Sequence, residues 1–195
     1  MVGLILALGY SIGYRVGSEA VIAQAVEQRT TESRIMDLVV KRNPGATVKD
    51  FAGFPEHVLA ESGKRGIDFR LVLALVDYES EFKPQALGAR GEIGLMQVLP
   101  STAAGVVQSI GLGGYEPPTL SPKGGYASLG SLGDAKLNVT IGLAYLAQMR
   151  DEFGPGPVML RAYNRGPSQA KDHRPHDRYA ERVSMKFLSL AHEVR

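Results

Sequence analysis

A chain of 195 residues is long enough to bury one hydrophobic core of ordinary size and too short for two average domains with linkers. Its hydrophobic fraction of 44% and charged fraction of 22% are typical of folded globular proteins and exclude a wholly disordered chain. The net charge of +2 argues against binding to nucleic acid, and the absence of cysteine excludes disulfides and cysteine-based nucleophiles or metal sites.

The N-terminal run of the chain is apolar, and its first charged residue is Arg15. As a helix, residues 1–14 would extend about 21 Å, at about 1.5 Å per residue, against ~30 Å for the hydrocarbon core of a bilayer. Glycines occupy every fourth position from Gly9 to Gly17, a spacing that lets two membrane helices approach closely. We expect residues 1–17 to be a hydrophobic segment that anchors or targets the protein. The alternative is an N-terminus that is flexible or packs on the core.

Apolar residues recur at helical spacing through most of the remaining chain. The first such pattern predicts a helix from Ser18 to Val40, which the Asn-Pro-Gly run at 43–45 ends, and residues 18–53 are interpreted as a helical linker region. Further helices are predicted over residues 55–63, 68–80, 100–110, 134–153, 158–163 and 179–193. Because no long alternating strand is present, the fold class is all-α or mainly α, with one domain over 54–195.

The segment from Gly111 to Gly133 separates two of these predicted helices. It holds seven glycines, three prolines and three serines, which are too many helix and strand breakers for a regular element. It is also longer than most connections in compact domains. We therefore predict a loop that is either functional or mobile.

Glu79 lies near the end of the predicted helix over 68–80. Apolar residues stand three, four and seven positions before it, so its carboxyl group shares the apolar face, whereas Asp77 and Glu81 are expected on a solvated face. Burial disfavours the charged form, so the pKa of Glu79 should be raised, as a general acid requires. Taken alone, such a residue is more often a structural carboxylate that pairs with an arginine or the backbone.

The sequence that starts at Glu79, ESEFKPQALGARGEIGLMQVLPSTA, resembles the SLT-type lytic transglycosylases. The resemblance begins near Phe54 and continues through Asn138, Gly142, Tyr145, Leu146, Ala162, Tyr163, Asn164 and Gly166 to Tyr179 and Val183. Each piece is weak alone, but their joint occurrence in this order is specific. The resemblance implies a lysozyme-like α-helical fold and an enzyme that cleaves peptidoglycan glycan strands.

It also implies a role for Glu79 as the single catalytic carboxyl group. In this family the acid protonates the glycosidic oxygen and then, as a carboxylate, takes the proton of the C6 hydroxyl of the same muramic sugar, which leaves a 1,6-anhydro end. No protein nucleophile, metal or cofactor is implied. Two alternatives stay open, namely a hydrolytic muramidase, which would need a second carboxylate near Glu79, and a catalytically silent glycan-binding or structural component of an envelope-spanning machine.

The predicted substrate-binding residues are Gln97, Tyr163, Asn164, Gly94, Met96 and Leu99. A glutamine amide both donates to and accepts from sugar hydroxyl and N-acetyl groups, and a glycine lets the backbone approach a sugar closely. For Met96 and Leu99, packing in the core is the favoured reading over contact with the glycan. The resemblance implies that Tyr163 and Asn164 face Glu79 across the groove, although Asn164 could instead mark the end of a helix.

Three positions depart from the family pattern. Gly88 stands where the family commonly has serine, Glu92 where it has a small residue, and Ala135 where it has proline. We expect these changes to affect details of glycan binding rather than the reaction. His173 and His176 lie in a proline-containing stretch without further ligands, so no metal site is predicted.

The expected partner is the peptidoglycan glycan strand, which lies outside the cytoplasm. We therefore predict a periplasmic catalytic domain that residues 1–17 anchor in the inner membrane, with an envelope-spanning complex as a further partner.

Overall fold

The structure is a computed structural model that describes residues 2–171 and 177–194, with side chains described from Glu19 onward. Helices dominate these residues. In chain order the elements are α1 (Val2–Arg42), α2 (Phe54–Arg65), α3 (Phe69–Glu79), α4 (Pro100–Ile110), β1 (Thr119–Leu120), β2 (Tyr126–Ser128), a 3-10 turn (Gly130–Gly133), α5 (Ala135–Phe153), α6 (Pro157–Arg165), α7 (Pro167–Ala170) and α8 (Arg178–Glu193). The mainly α fold class is confirmed.

Capping residues explain why the helix bounds follow the sequence closely. Asp68, Asp134 and Asp177 cap α3, α5 and α8, and each accepts hydrogen bonds from backbone N–H groups of the first turn. Gly66 and Gly111 end α2 and α4 in the left-handed conformation that favours glycine. The predicted helices therefore agree with α2 to α6 and with α8 to within two residues at each end.

Helix α1 differs from the prediction at its start. It runs without a break from Val2 to Arg42, so Ser18 does not begin a helix as predicted, whereas the end before the Asn-Pro-Gly run at 43–45 is confirmed. The N-terminal glycines lower helix propensity by about 1 kcal/mol each relative to alanine, which weakens a helix without ending it. Among the described residues, no helix combines the length and apolar composition that crossing a membrane requires.

The segment from Gly111 to Gly133 contains short elements that its composition did not predict. Strands β1 and β2 pair in an antiparallel hairpin, and the 3-10 turn follows. The hydroxyl of Tyr126 donates to the carbonyl of Gly91, and Ser131 exchanges hydrogen bonds with the backbone of Glu116. These bonds tie the segment to the rest of the domain.

The core surrounds α3, whose residues from Val72 to Val76 are fully buried and which packs against α2 and α8. The same hydrophobic cluster includes Ile35, Leu38, Val39 and Phe51. These side chains come from the 18–53 region, so the end of α1 contributes to the core. The domain boundary at residue 54 stays a prediction.

Asp77 corrects the expectation of a solvated face on α3. It is only 2% exposed, and its carboxylate pairs with Arg42 of α1 at 3.1 Å and with Lys186 of α8 at 2.9 Å. The prediction was wrong because α1 and α8 cover this side of α3 and supply the cations that a buried carboxylate needs. Glu81 lies beyond the end of α3 and is exposed, as expected.

The buried amide of Asn138 on α5 holds the loop that follows Glu79. Its Nδ2 donates to the carbonyls of Ile93 and Leu132, and its Oδ1 accepts from the N–H of Met96. Gly94, with φ of 82°, lies directly against this amide, and a Cβ there would overlap Asn138 and the Leu132 carbonyl. The close approach at Gly94 is therefore to Asn138 and the Leu132 carbonyl, and its role in glycan binding stays a prediction.

We predict that Gly94→Ala destabilises the fold far more than Gly124→Ala. Both glycines have positive φ, but a Cβ at Gly124 meets nothing within 4 Å. Gly124→Ala should therefore lose stability only through backbone strain, by about 1–2 kcal/mol. Overpacking at Gly94 should add about 1–3 kcal/mol. Urea unfolding measures both variants, and equal losses would contradict the packing role of Gly94.

Candidate active site

The carboxyl group of Glu79, the last residue of α3, is largely buried. The hydroxyl of Tyr179 on α8 donates to its Oε1 at 2.5 Å. Burial raises the pKa of Glu79 to about 7, the charge of Glu92 adds to this effect, and the Tyr179 hydrogen bond and the charge of Arg90 oppose it. The predicted direction of the pKa shift is confirmed, and the group changes protonation state near neutral pH.

Tyr179 is the contact of Glu79 that the predicted site did not contain. Its ring packs edge-on against that of Tyr78, with centroids 5.1 Å apart, and its burial raises the pKa of the phenol well above its ordinary value. It therefore remains a hydrogen-bond donor. Tyr179 belongs to the resemblance, but no spacing rule joins two residues 100 positions apart, so only the family pattern could have pointed to it.

The chain reverses direction immediately after Glu79 and returns alongside it. Glu81, Phe82 and Gln97 all have positive φ, a conformation that is uncommon for residues other than glycine. The hydroxyl of Ser80 donates to the carbonyl of Leu95 at 2.9 Å and so holds the returning segment against the end of α3. Strained backbone of this kind clusters at functional sites.

Gln97 and Met96 form part of this reversal. The Nε2 of Gln97 donates to the carbonyls of Ala86 and Gly94, at 3.1 and 2.9 Å, so this half of the amide holds the loop. Met96 is fully buried and fills the space beside Gly142, in agreement with the favoured interpretation of a core side chain. Leu99 is partly exposed.

Tyr163 and Asn164 lie at the end of α6, beside the same loop. The hydroxyl of Tyr163 donates to the carbonyl of Met96 at 2.8 Å, and its ring is 5.4 Å from that of Tyr145. Asn164 is half-buried, and its backbone carbonyl accepts from Arg90 at 3.4 Å. The structure thus brings the AYN segment against the loop, with its tyrosine hydroxyl bonded to the backbone.

A cleft runs along this loop. Its walls include six of the residues described above, Arg90, Glu92, Gln97, Leu99, Tyr145 and Tyr163. A separate and wider cleft, lined by Lys49, Lys83 and Asp134 among others, contains none of the predicted site residues. The narrower cleft combines aromatic rings, polar groups and charge, which are the features of a saccharide-binding groove. Glu79 is not among its described lining residues, but the charges of Arg90 and Glu92 in its wall act on the Glu79 carboxyl group.

Glu92 is a second acidic residue at this cleft, and it was predicted only as a departure from the family pattern. Its carboxylate accepts from the Nε of Arg90 at 2.7 Å and from the N–H of Arg90 at 2.9 Å. Burial opposes ionisation of Glu92, but these hydrogen bonds and the charge of Arg90 outweigh it and lower its pKa. Its side chain fills the space where a Cβ on Gly88 would stand. A side chain at position 88 would therefore compete with the Glu92 carboxylate for the same space.

Among the described residues, no group of three His, Asp or Glu side chains is arranged to hold a metal ion. His173 and His176 lie outside the described residues. The expectation that the protein needs no metal stays a prediction.

Comparisons with known proteins place this site in context. Residues 56–182 match the family model described as the transglycosylase SLT domain. The chain is 34% identical over 109 residues to membrane-bound lytic murein transglycosylase C of Haemophilus influenzae, a match that covers 52% of this chain and 28% of the relative. It is 32% identical over 111 residues to the soluble lytic murein transglycosylase of Escherichia coli, a match that covers 56% of this chain and 15% of the relative. The chain thus matches less than a third of the length of these curated relatives.

Solved structures support the same fold. An inactive mutant of the lytic transglycosylase Slt from Pseudomonas aeruginosa matches with a TM-score of 0.57 at 25% identity, over 71% of this chain and 24% of that one. A complex of a 70-kDa soluble lytic transglycosylase with bulgecin A matches with a TM-score of 0.51 at 23% identity, over 68% of this chain and 20% of that one. The second likeness bears on the fold alone.

Proposed function

Because the chain belongs to the transglycosylase SLT domain family, we propose that it is a peptidoglycan lytic transglycosylase. It cleaves the β-1,4 bond between N-acetylmuramic acid and N-acetylglucosamine and leaves 1,6-anhydromuramic ends. The observation that carries this proposal is the largely buried Glu79, which has a pKa of about 7 and a hydrogen bond from Tyr179, and on which charges in the wall of an aromatic-lined cleft act.

Glu79 acts twice in the proposed reaction. As an acid it gives its proton to the glycosidic oxygen while the bond from that oxygen to C1 of the muramic sugar breaks. As a carboxylate it then takes the proton of the C6 hydroxyl, whose oxygen forms the new bond to C1. The cycle restores protonated Glu79 and consumes no water. A pKa of about 7 suits a group that must give and take a proton in one turnover.

The Tyr179 hydroxyl supports both steps. It holds Oε1 of the Glu79 carboxyl group, which leaves Oε2 to exchange the proton with the sugar in the proposed reaction. A hydrogen bond to the carboxylate is stronger when the acceptor is ionised, so Tyr179 also stabilises Glu79 after it has given its proton.

We propose that Gln97, Leu99, Tyr163 and Asn164 position the glycan along the cleft. Gln97 presents its Oε1 because its Nε2 is bonded to the loop. Leu99 and Tyr163 supply apolar and aromatic surface. Gly94 and Met96 contribute by shaping the loop, since both are packed against α5.

The hydrolytic alternative is favoured by one observation, the carboxylate of Glu92 close enough to Glu79 to affect its charge. A hydrolase needs this second carboxylate to accept a proton from water. Glu92, however, is bonded twice by Arg90 and has a lowered pKa, which makes it a weak base. These contacts support the transglycosylase reaction over hydrolysis.

We further propose that the catalytic domain works in the periplasm and that residues 1–17 anchor it in the inner membrane. Peptidoglycan lies outside the cytoplasm, and the matched relatives include proteins named as membrane-bound and as soluble. An envelope-spanning complex is the proposed further partner.

Digestion of purified peptidoglycan sacculi, followed by mass analysis of the fragments, tests the proposed reaction. We expect muramic ends that are lighter by one water than reducing ends, and a rate that EDTA does not change. Reducing muramic ends would establish the hydrolase. Binding to sacculi without any released fragment would establish the silent glycan-binding protein.

A further inference from the structure

Glu92 and Gln97, which both line the cleft, place oxygen atoms close together beside Gly88. A Cβ built on Gly88 would overlap the Glu92 carboxylate and would stand 2.7 Å from Oε1 of Gln97. The Nε2 of Gln97 is bonded elsewhere, to Ala86 and Gly94. This corner of the cleft therefore presents hydrogen-bond acceptors and a negative charge, which suits a cationic or donor-bearing ligand.

In the ion pair of Arg90 and Glu92, the negative side chain is the more buried of the two. The Arg90 side chain is 63% exposed and that of Glu92 is 11% exposed. A surface pair placed only for stability contributes little, with a median of about 0–1 kcal/mol. Both side chains line the cleft, but the Glu92 carboxylate is much more buried than the side chain of Arg90.

Glu79 and Glu92 differ in their state of ionisation near neutral pH. Burial favours protonated Glu79, whereas Arg90 keeps Glu92 charged. Two neighbouring carboxyl groups whose pKa values are pushed apart indicate an acid and an ionised partner in acid–base catalysis. Cleavage of a glycosidic bond passes through an oxocarbenium-like transition state, in which positive charge develops on the sugar.

We propose that Glu92 is the ionised partner of Glu79, and that its carboxylate, held by Arg90 in the space beside Gly88, stabilises the positive charge that develops on the cleaved sugar. The proposal rests on the proposed function, because it concerns the same bond and the same cleft. Glu92 forms no bond to the substrate and accepts no proton, so the products are those of the transglycosylase reaction.

Several groups face Glu79 and bear on the test. Tyr179 from α8 and Tyr163 from α6 are both neutral, because the pKa of each is raised well above its ordinary value. Among the described residues, the charges that act on Glu79 are those of Arg90 and Glu92. Glu92 favours the protonated form of Glu79, and Arg90 favours the ionised form.

The test measures kcat and KM on soluble glycan strands, across pH, for the full chain and for Glu92→Gln. Glutamine keeps the size of the side chain and an acceptor for Arg90 but removes the charge. We expect kcat to fall about 10-fold or more while KM changes little, because the lost interaction exists only in the transition state. In the pH–activity profile, the alkaline limb, along which activity falls as pH rises, should move to lower pH. The reason is that Glu79 loses a negative neighbour that raises its pKa.

Two further variants keep the test decisive. Arg90→Gln removes a positive neighbour of Glu79 and should move the same limb in the opposite direction, to higher pH. It also removes the side-chain hydrogen bond that holds Glu92, so kcat should fall in this variant too, which covers the case that Glu92→Gln fails to fold. Glu56→Gln is the matched control, because Glu56 on α2 is exposed and lies outside the lining of the cleft, so it should leave kcat and the pH profile unchanged.

The proposal would be overturned if folded Glu92→Gln kept the wild-type kcat and the wild-type pH profile. Glu92 would then have only a structural role. A fall in stability or a rise in KM alone would overturn it too. If instead the wild-type chain releases no anhydro fragments, it is the proposed function that fails, and the two failures are thus distinguished.

Discussion

Glu79→Gln is expected to abolish cleavage of peptidoglycan, with a loss of about 100-fold or more. Glutamine has nearly the same shape and still accepts the hydrogen bond of Tyr179, but it has no proton to give and cannot become a base. Release of soluble fragments from purified sacculi measures the loss. Glu56→Gln on α2 is the control, since Glu56 is exposed and lies outside the cleft.

The same variant also has a predicted effect on stability, which shows whether the fold is kept. The pKa of Glu79 is raised in the folded state, so its contribution to stability is present below about pH 4.5 and is lost as pH rises through about 7. Above pH 7, the free energy of unfolding of Glu79→Gln should therefore be at least as large as that of the wild type. An inactive variant that is also unfolded would leave the catalytic role unsupported, and a folded variant that keeps more than a few per cent of the wild-type rate would contradict it.

A chain that starts at Pro55 is expected to lose most of its stability, whereas one that starts at Thr30 should fold like the whole chain. The shorter chain lacks the buried side chains of Ile35, Leu38, Val39 and Phe51. At about 1.5–3 kcal/mol for each, these amount to about 6–12 kcal/mol, comparable with the entire stability of a typical domain.

The loss also reaches the site through Asp77. Without Arg42, this buried carboxylate on α3, two residues from Glu79, keeps only Lys186 as a described partner. Thermal unfolding followed by circular dichroism compares the two truncated chains. Residues 19–30 are exposed, so starting at Thr30 removes no described core contact. Equal midpoints for the two chains would show that the end of α1 is only a linker.

The helix bounds could be predicted because local chemistry determines them. Asp68 and Asp134 cap helices, and Gly66 and Gly111 end them, within a few residues of each signal. The position of Glu79 on the apolar face follows from helical periodicity alone, and so does the raised pKa that burial produces.

Contacts between distant segments could not be predicted in this way. Asp77 seemed to be solvated because the pattern of α3 does not show which helices cover it, and Arg42 and Lys186 lie 35 and 109 positions away. Tyr179 reaches Glu79 only through the packing of α8 on α3.

The departures at Gly88 and Glu92 show a related limit. Each was visible in the sequence, but only the structure shows that the larger side chain fills the space that the smaller one leaves. The packing of Gly94 against Asn138 was not predicted, because a glycine in a sequence does not reveal which atoms come close to it.

Digestion of sacculi by the full chain in water enriched in heavy oxygen tests the central claim most directly. In the proposed reaction the C6 oxygen of the muramic sugar closes the ring, so the new ends should be 1,6-anhydro and should contain no heavy oxygen. New reducing ends that carry one heavy oxygen would show that water attacks C1, and would contradict the assignment of this chain as a lytic transglycosylase.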